Sequence, residues 1–420
     1  MPKRLLTAFF VLAAVIPASG GQWESLGLSA SQVLSIAADP DNQLNICAGT
    51  AAGLYYSTDG GQAWEPRIAL DGVFTFLSYT PQSNDTVICI KSGTSGADGL
   101  YISANDGNVW SQTGHFTEAR RVGFDPVDRG FIYVCFPDGI LKSQDYGLSN
   151  SEANEGLPAL SILDVKGDGR NGLEAYAVGE AFVANTTNFG NHWTQLNGLF
   201  GLEDYNPSRL EHDPFGSETL YVSCYAYFAR SFNGGTTWSY TLMPATGNQP
   251  IACDPAVPGE LYVGSVDGGG VMRSTDAGAT FQFFNDNLGN LNVHSLAFDA
   301  GGNLLAGTEG GIYLYDFSSA IDDNGQDLPR GIKLGGNYPN PFNSQTMIEL
   351  VADAPQVVSL DICDITGRAV VNIYAGLVEG RYLLRWDGTS EAGRAAASGV
   401  YLWRLQTDDG ATYRRMLLLK

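Results

Sequence analysis

Ser57-Thr58-Asp59-Gly60-Gly61-Gln62-Ala63-Trp64 is the first of six copies of one short turn. The others are carried by Ser103, Asn105, Gly107 and Trp110; by Ser143, Asp145 and Gly147; by Thr186, Asn188, Gly190 and Trp193; by Ser231, Asn233, Gly235 and Trp238; and by Ser274, Asp276, Gly278 and Phe281. Their first positions are 46, 40, 43, 45 and 43 residues apart. A near-constant period of this length marks stacked supersecondary units, none of which buries its apolar face alone. Each copy follows an apolar run, as Leu54-Tyr55-Tyr56 does in the first, and reads as a β-hairpin turn. The Asp or Asn side chain is expected to accept from backbone N–H groups two residues on. Gly supplies positive φ, the hydroxyl adds a local bond, and the aromatic ring packs on the hairpin and its neighbour. All of these roles are structural.

The rest of the unit repeats as well. An apolar strand ends in Asp-Pro or a variant of it, at Asp39-Pro40, Asp125-Pro126, Asp213-Pro214, Asp254-Pro255 and Asp299. A second strand follows, such as Ile132 to Cys135, Leu220 to Ser223 or Leu261 to Gly264. A third leads into the turn and a fourth follows its aromatic residue. Four antiparallel strands in about 43 residues make one propeller blade. A seventh unit starts at Val293, reaches Gly311 to Tyr315, and has neither turn motif nor fourth strand. Trp23-Glu24-Ser25-Leu26 resembles the Trp64-Glu65-Pro66 segment and is expected to supply the missing strand, closing seven blades and removing exposed sheet edges.

Lys3-Arg4, the apolar run Leu5 to Ile16 and the small residues up to Gly20 read as a secretory signal over residues 1–20. Its loss takes the formal charge from −22 to −24. A surface this acidic argues against nucleic acid or anionic lipid as a partner, and no later stretch is long and apolar enough to span a bilayer. Cys47, Cys89, Cys135 and Cys224 fall in second strands of four different blades, Cys253 in a first strand, and Cys363 beyond the repeat. That spacing favours buried apolar thiols over a disulfide framework.

The blades are expected over residues 21–318 and a polar linker over 319–334. Residues 335–420 then read as a small β-sandwich of six strands: Met347–Val351, Val357–Ile362, Ala369–Tyr374, Tyr382–Trp386, Val400–Gln406 and Thr412–Leu419. On its turns, the first part resembles the Asp-box (BNR) repeat propellers, which include sialidases, sortilin-type ectodomains, certain glucanases and photosystem assembly factors. The second part resembles the immunoglobulin-like C-terminal domains of flagellar hook-cap proteins and type IX secretion sorting domains. The residues that carry this are Asn337 to Asn343, Asp364 to Arg368, Trp386-Asp387-Gly388, Ser398 to Tyr401, and the basic end Arg414-Arg415 to Lys420. The resemblance implies delivery to the outside of a bacterium, secreted or on its surface, by secretion machinery that recognises the C-terminal domain.

A sialidase-like activity would need an arginine cluster, a tyrosine activated by a glutamate, and an acidic general acid. The Phe-Arg-Ile-Pro segment of that family is approached only by Pro66-Arg67-Ile68, placed after the first turn. His115, His192, His212 and His294 lie on separate blades without metal-ligand spacing, and Asp164-x-Lys166-x-Asp168-Gly169 departs from a calcium loop at Lys166 and reads as a plain turn. No catalytic, cofactor or metal residue is assigned. The candidate binding face is set by loops between second and third strands, which carry Asp98, Asp138, Glu180, Asp267 and Glu309. Tyr225 and Tyr227 join them, with two longer loops, 91–98 and 198–209. The sequence thus reads as an exported all-β, seven-bladed binding or scaffold protein for an extracellular polysaccharide or protein, with a glycoside hydrolase and an assembly factor for a membrane complex as alternatives.

Overall fold

The computed structural model describes residues 22–67, 72–81, 83–93, 98–125, 127–128, 130–168, 172–196, 206–215, 218–317, 332–338, 345–364, 368–407 and 410–418. The expected signal peptide, the linker up to 331, residues 94–97 and 197–205 of the two longer loops, and 339–344 of the Asn337 motif lie outside them.

Among the described residues there is no helix. Residues 23–315 form seven antiparallel sheets of four strands each, and in the first six the strands follow one another in chain order. Their innermost strands are Val33–Ala38, Val73–Thr80, Arg121–Phe124, Ile162–Gly167, Pro207–His212, Asn248–Cys253 and Val293–Phe298. Each innermost strand meets the next, and the seventh meets the first. This is the architecture of a β-propeller.

Second strands show why the units need one another. Ile46–Thr50, Ile132–Phe136, Ala175–Gly179, Leu220–Cys224, Leu261–Ser265 and Leu304–Thr308 are buried at every position. A strand covered on both faces loses the in–out alternation of a half-exposed one. Cys47, Cys89, Cys135 and Cys224 are buried there, and all six cysteines are free thiols.

The turns hold themselves by a bond pattern that differs from the expected one. The hydroxyl takes the glycine: Gly61 N donates to Ser57 Oγ at 2.8 Å, and the equivalent distances in the other five turns are 2.9, 2.8, 3.0, 2.9 and 2.8 Å. The carboxylate or amide reaches four residues on rather than two, as Ala63 N to Asp59 Oδ1 at 2.9 Å and Ser149 N to Asp145 Oδ1 at 2.7 Å. It also accepts from the hydroxyl, Ser57 Oγ to Asp59 Oδ1 at 2.8 Å, so one oxygen clamps both ends of the loop. Gly61 has φ +88°, so the backbone favours glycine there, and a Cβ would also crowd the Leu26 side chain.

Trp23–Gly27 pairs antiparallel with Gly311–Tyr315, Trp23 opposite Tyr315, as the outermost strand of the seventh sheet. Trp23 is 2% exposed, and its indole N–H donates to Phe284 O of the sixth sheet at 2.8 Å. Trp64 and Trp193 do the same, to Leu26 O and Ala153 O of their preceding sheets, at 2.7 and 2.8 Å. Trp23 therefore performs for the seventh sheet what the turn tryptophans perform for the first and fourth. Val33, Ile36, Ile46 and Ala48 of the first sheet pack with Leu305 and Ile312 of the seventh in one apolar cluster.

Among the described residues the C-terminal unit has fewer and longer strands than the six expected. It has five strands in one hydrogen-bonded sheet: Ile332–Tyr338, Thr346–Asp364, Ala369–Trp386, Gly399–Thr407 and Gly410–Leu418. Two expected breaks are bridged. The register shifts between Ala352 and Gln356 but the strand continues, because Pro355 needs no ladder donor inside an irregularity. Ile348, Leu350, Val358, Leu360, Ile362, Trp386, Trp403 and Met416 share one buried cluster, so both halves of the long strands close on a common core.

Candidate functional site

In an antiparallel four-stranded unit the loops alternate ends. Second-to-third and fourth-to-first connections share one face, and the Asp-containing turns share the other. Asp98, Asp138, Glu180, Asp267 and Glu309 lie between second and third strands, and Tyr225 lies in the fifth sheet's loop with Tyr227 opening its third strand. The last part of the 198–209 loop is not loop, since Pro207–His212 is a strand.

The carboxylates engage their own sheets. Glu180 Oε1 accepts from Ser161 Oγ at 2.9 Å, and Glu309 Oε2 from Asn292 Nδ2 at 2.8 Å. Glu309 also stands 3.7 Å from His294 Nε2, which meets Gln32 Nε2 at 3.2 Å across the first and seventh sheets. Burial lowers the pKa of His294, with Glu309 opposing. Asp138, Glu180, Asp267 and Glu309 are exposed, and so is Tyr225 at 49%. Among the described residues no group of three or more His, Cys, Asp or Glu is placed to hold a metal ion.

A second constellation went unread in the sequence. A cavity of about 480 Å³ is lined by residues of all seven innermost strands. Counting back four residues from the Asp after each of these strands (Thr80 in the second sheet) gives Ser35, Phe76 and Arg121, then Asp164 and Arg209, then Pro250 and Ser295. All seven line the cavity, and so do Lys166 and Glu211, two residues before that Asp. The charged members belong to the third, fourth and fifth sheets, while Ile251, Leu296, Phe298 and Phe76 come from the others. Asp164 and Lys166 thus sit in a strand, Ile162–Gly167, which corrects the turn expected at Asp164–Gly169.

Charges in the cavity are unevenly satisfied. Lys166 Nζ pairs with Glu211 Oε2 at 2.9 Å, while Glu211 Oε1 accepts from His212 N at 3.1 Å. Burial lowers the Lys166 pKa, but Glu211 and Asp164 outweigh it and the net shift is upward. Asp164 is 2% exposed; its Oδ1 accepts from Val165 N at 2.9 Å and its Oδ2 from Leu210 N at 3.0 Å. Arg121 Nη1 donates to Thr75 O and Arg120 O at 2.7 and 3.0 Å, and Arg209 Nη1 to Ser208 O at 2.8 Å. Among the described residues neither guanidinium forms an ion pair. Burial pushes the Arg209 pKa down to about 9, Arg121 adding to the effect and Asp164 opposing it; burial likewise lowers that of Arg121. Arg67, of the sialidase-like tripeptide, lies elsewhere, over the Tyr56 ring at 4.7 Å and bonded to Asn108.

No family model matches the chain. A xyloglucanase of a Paenibacillus species is 29% identical over 126 residues, covering 25% of this chain and 12% of that relative. Among solved structures, a GH74 enzyme of Niastella koreensis has a TM-score of 0.57 at 14% identity, over 94% of this chain and 74% of the other. The extracellular domain of a one-component system of B. thetaiotaomicron has a TM-score of 0.56 at 13% identity, over 95% and 59%. At these identities the likeness is one of fold.

Proposed function

We propose that the chain is an exported binding protein whose seven-bladed propeller, closed by the strand Trp23–Gly27, takes an extracellular polysaccharide along its central axis. The C-terminal unit serves as the sorting or anchoring domain for the cell exterior. The observation that carries this reading is the cavity of about 480 Å³ lined by all seven innermost strands, a volume suited to a small ligand or one unit of a chain. The exposed Tyr225 ring on the loop face adds the kind of flat apolar surface on which sugars stack. The partial identity with a xyloglucanase and the fold shared with a GH74 enzyme support a glycan over a protein as the ligand class.

One observation favours hydrolysis instead: Asp164 and Glu211 share the cavity with two arginines. Each carboxylate oxygen, however, accepts from a donor, which favours the ionised form and a positioning role over that of a general acid. The deciding experiment passes the full chain over immobilised plant and microbial polysaccharides and assays the eluate for new reducing ends. Binding predicts retention without product, weakened several-fold by Tyr225→Ala. Product release that disappears in Glu211→Gln would make the protein a glycoside hydrolase.

A further inference from the structure

The two arginines of the cavity pose a charge problem that the protein does not solve by itself. Lys166 and Glu211 neutralise each other, and the charge of Asp164 acts on both Arg121 and Arg209 while its oxygens are already bonded to backbone amides. One cation is left over inside a chain whose formal charge is −22. The protein bonds to each guanidinium run through Nη1 to carbonyl oxygens, so Nε and Nη2 of both remain for another group. A guanidinium offers five N–H donors in a planar fork that matches a carboxylate, and it stays charged in proteins. The cost of holding two such cations together away from bulk water is what lowers the pKa of Arg209, and an incoming anion would relieve it.

We propose that the cavity binds one carboxylate between Arg121 and Arg209, presented by a sugar acid whose neutral body rests on the apolar wall of Phe76, Ile251, Leu296 and Phe298. The acidic exterior selects against polyanions, which would be repelled before they reached the cavity, and tolerates a ligand with a single negative charge. The sugar part of the proposal rests on the glycan reading above; the carboxylate part does not.

The test is calorimetric titration of the full chain with glucuronate, glucose and acetate, repeated at raised salt and with Arg209→Gln. Glucuronate is expected to bind saturably and glucose not at all. Arg209→Gln should weaken glucuronate about 10- to 100-fold, the range for losing a charge-assisted hydrogen bond. The same variant should melt at or above the temperature of the parent, since it removes one of two neighbouring like charges, whereas an arginine kept for structure would melt lower when replaced. Acetate binding as tightly as glucuronate would keep the carboxylate site and remove its sugar part, while retention on immobilised polysaccharide tests the glycan reading separately. No carboxylate binding at millimolar concentration, or unchanged binding by Arg209→Gln, overturns the proposal. Should Arg209→Gln fail to fold, Arg121→Gln gives the same reading, and Arg209→Lys keeps the charge while losing the fork.

Discussion

A buried hydroxyl anchors each of the six turns, and its loss is felt because a backbone donor depends on it. Ser143 is 5% exposed, and its Oγ accepts from Gly147 N at 2.8 Å while donating to Asp145 at 2.8 Å. Ser143→Ala strands the Gly147 N–H in a buried site, and we expect a loss of about 1–3 kcal/mol in urea unfolding. The third turn is the most sensitive place to look, for it has no aromatic residue at the position of Trp64. Residue chemistry of this local kind was legible from the chain alone, because a hydroxyl, a carboxylate and a glycine at fixed spacing meet one another wherever the turn is placed. Arg121, Asp164 and Arg209 were not legible as a group, since they come to one cavity only after three sheets are stacked. The sequence clue, a charge four residues before the strand-ending Asp, was hidden in the fourth sheet, where Gly169 stands in place of proline.

At the scale of the strand, the pairing of Trp23–Gly27 with Gly311–Tyr315 covers what would otherwise be an unpaired edge. Trp23→Ala removes a ring packed edge-on against Phe284 and Tyr315, at centroid distances of 6.1 and 5.6 Å, and the hydrogen bond to Phe284 O. We expect a cost of about 3–5 kcal/mol in thermal or chemical unfolding. A parallel rise in oligomers on size-exclusion chromatography would follow from strand fraying, since a bare edge recruits other chains. Strand existence was readable here from Trp-Glu spacing alone. Strand boundaries in the C-terminal unit were not: Pro355 and Gly380 look like stops in sequence, yet the ladder of Thr346–Asp364 and Ala369–Trp386 runs through them, held by apolar residues on both sides. Tertiary packing there overrides local turn preference.

For the whole molecule, the buried clusters of the propeller and of the C-terminal unit have no residue in common. Two cores of this kind unfold as two cooperative units. Scanning calorimetry of the full chain should show two transitions, and Trp403→Ala, which empties a fully buried site, should lower only one of them, by about 3–5 kcal/mol. A single transition moving as a whole would show that the units are coupled.

The strand that completes the seventh sheet also sets an order in time. Trp23 and Tyr315 pair across 292 residues of chain, and closing a loop of that length carries an entropy cost of about 5 kcal/mol. Contacts within each four-stranded unit close loops of only tens of residues and form first. The seam between the two ends is therefore the last part of the propeller to assemble and the place where it begins to come apart. Its amide protons should be the earliest in the propeller to exchange with solvent.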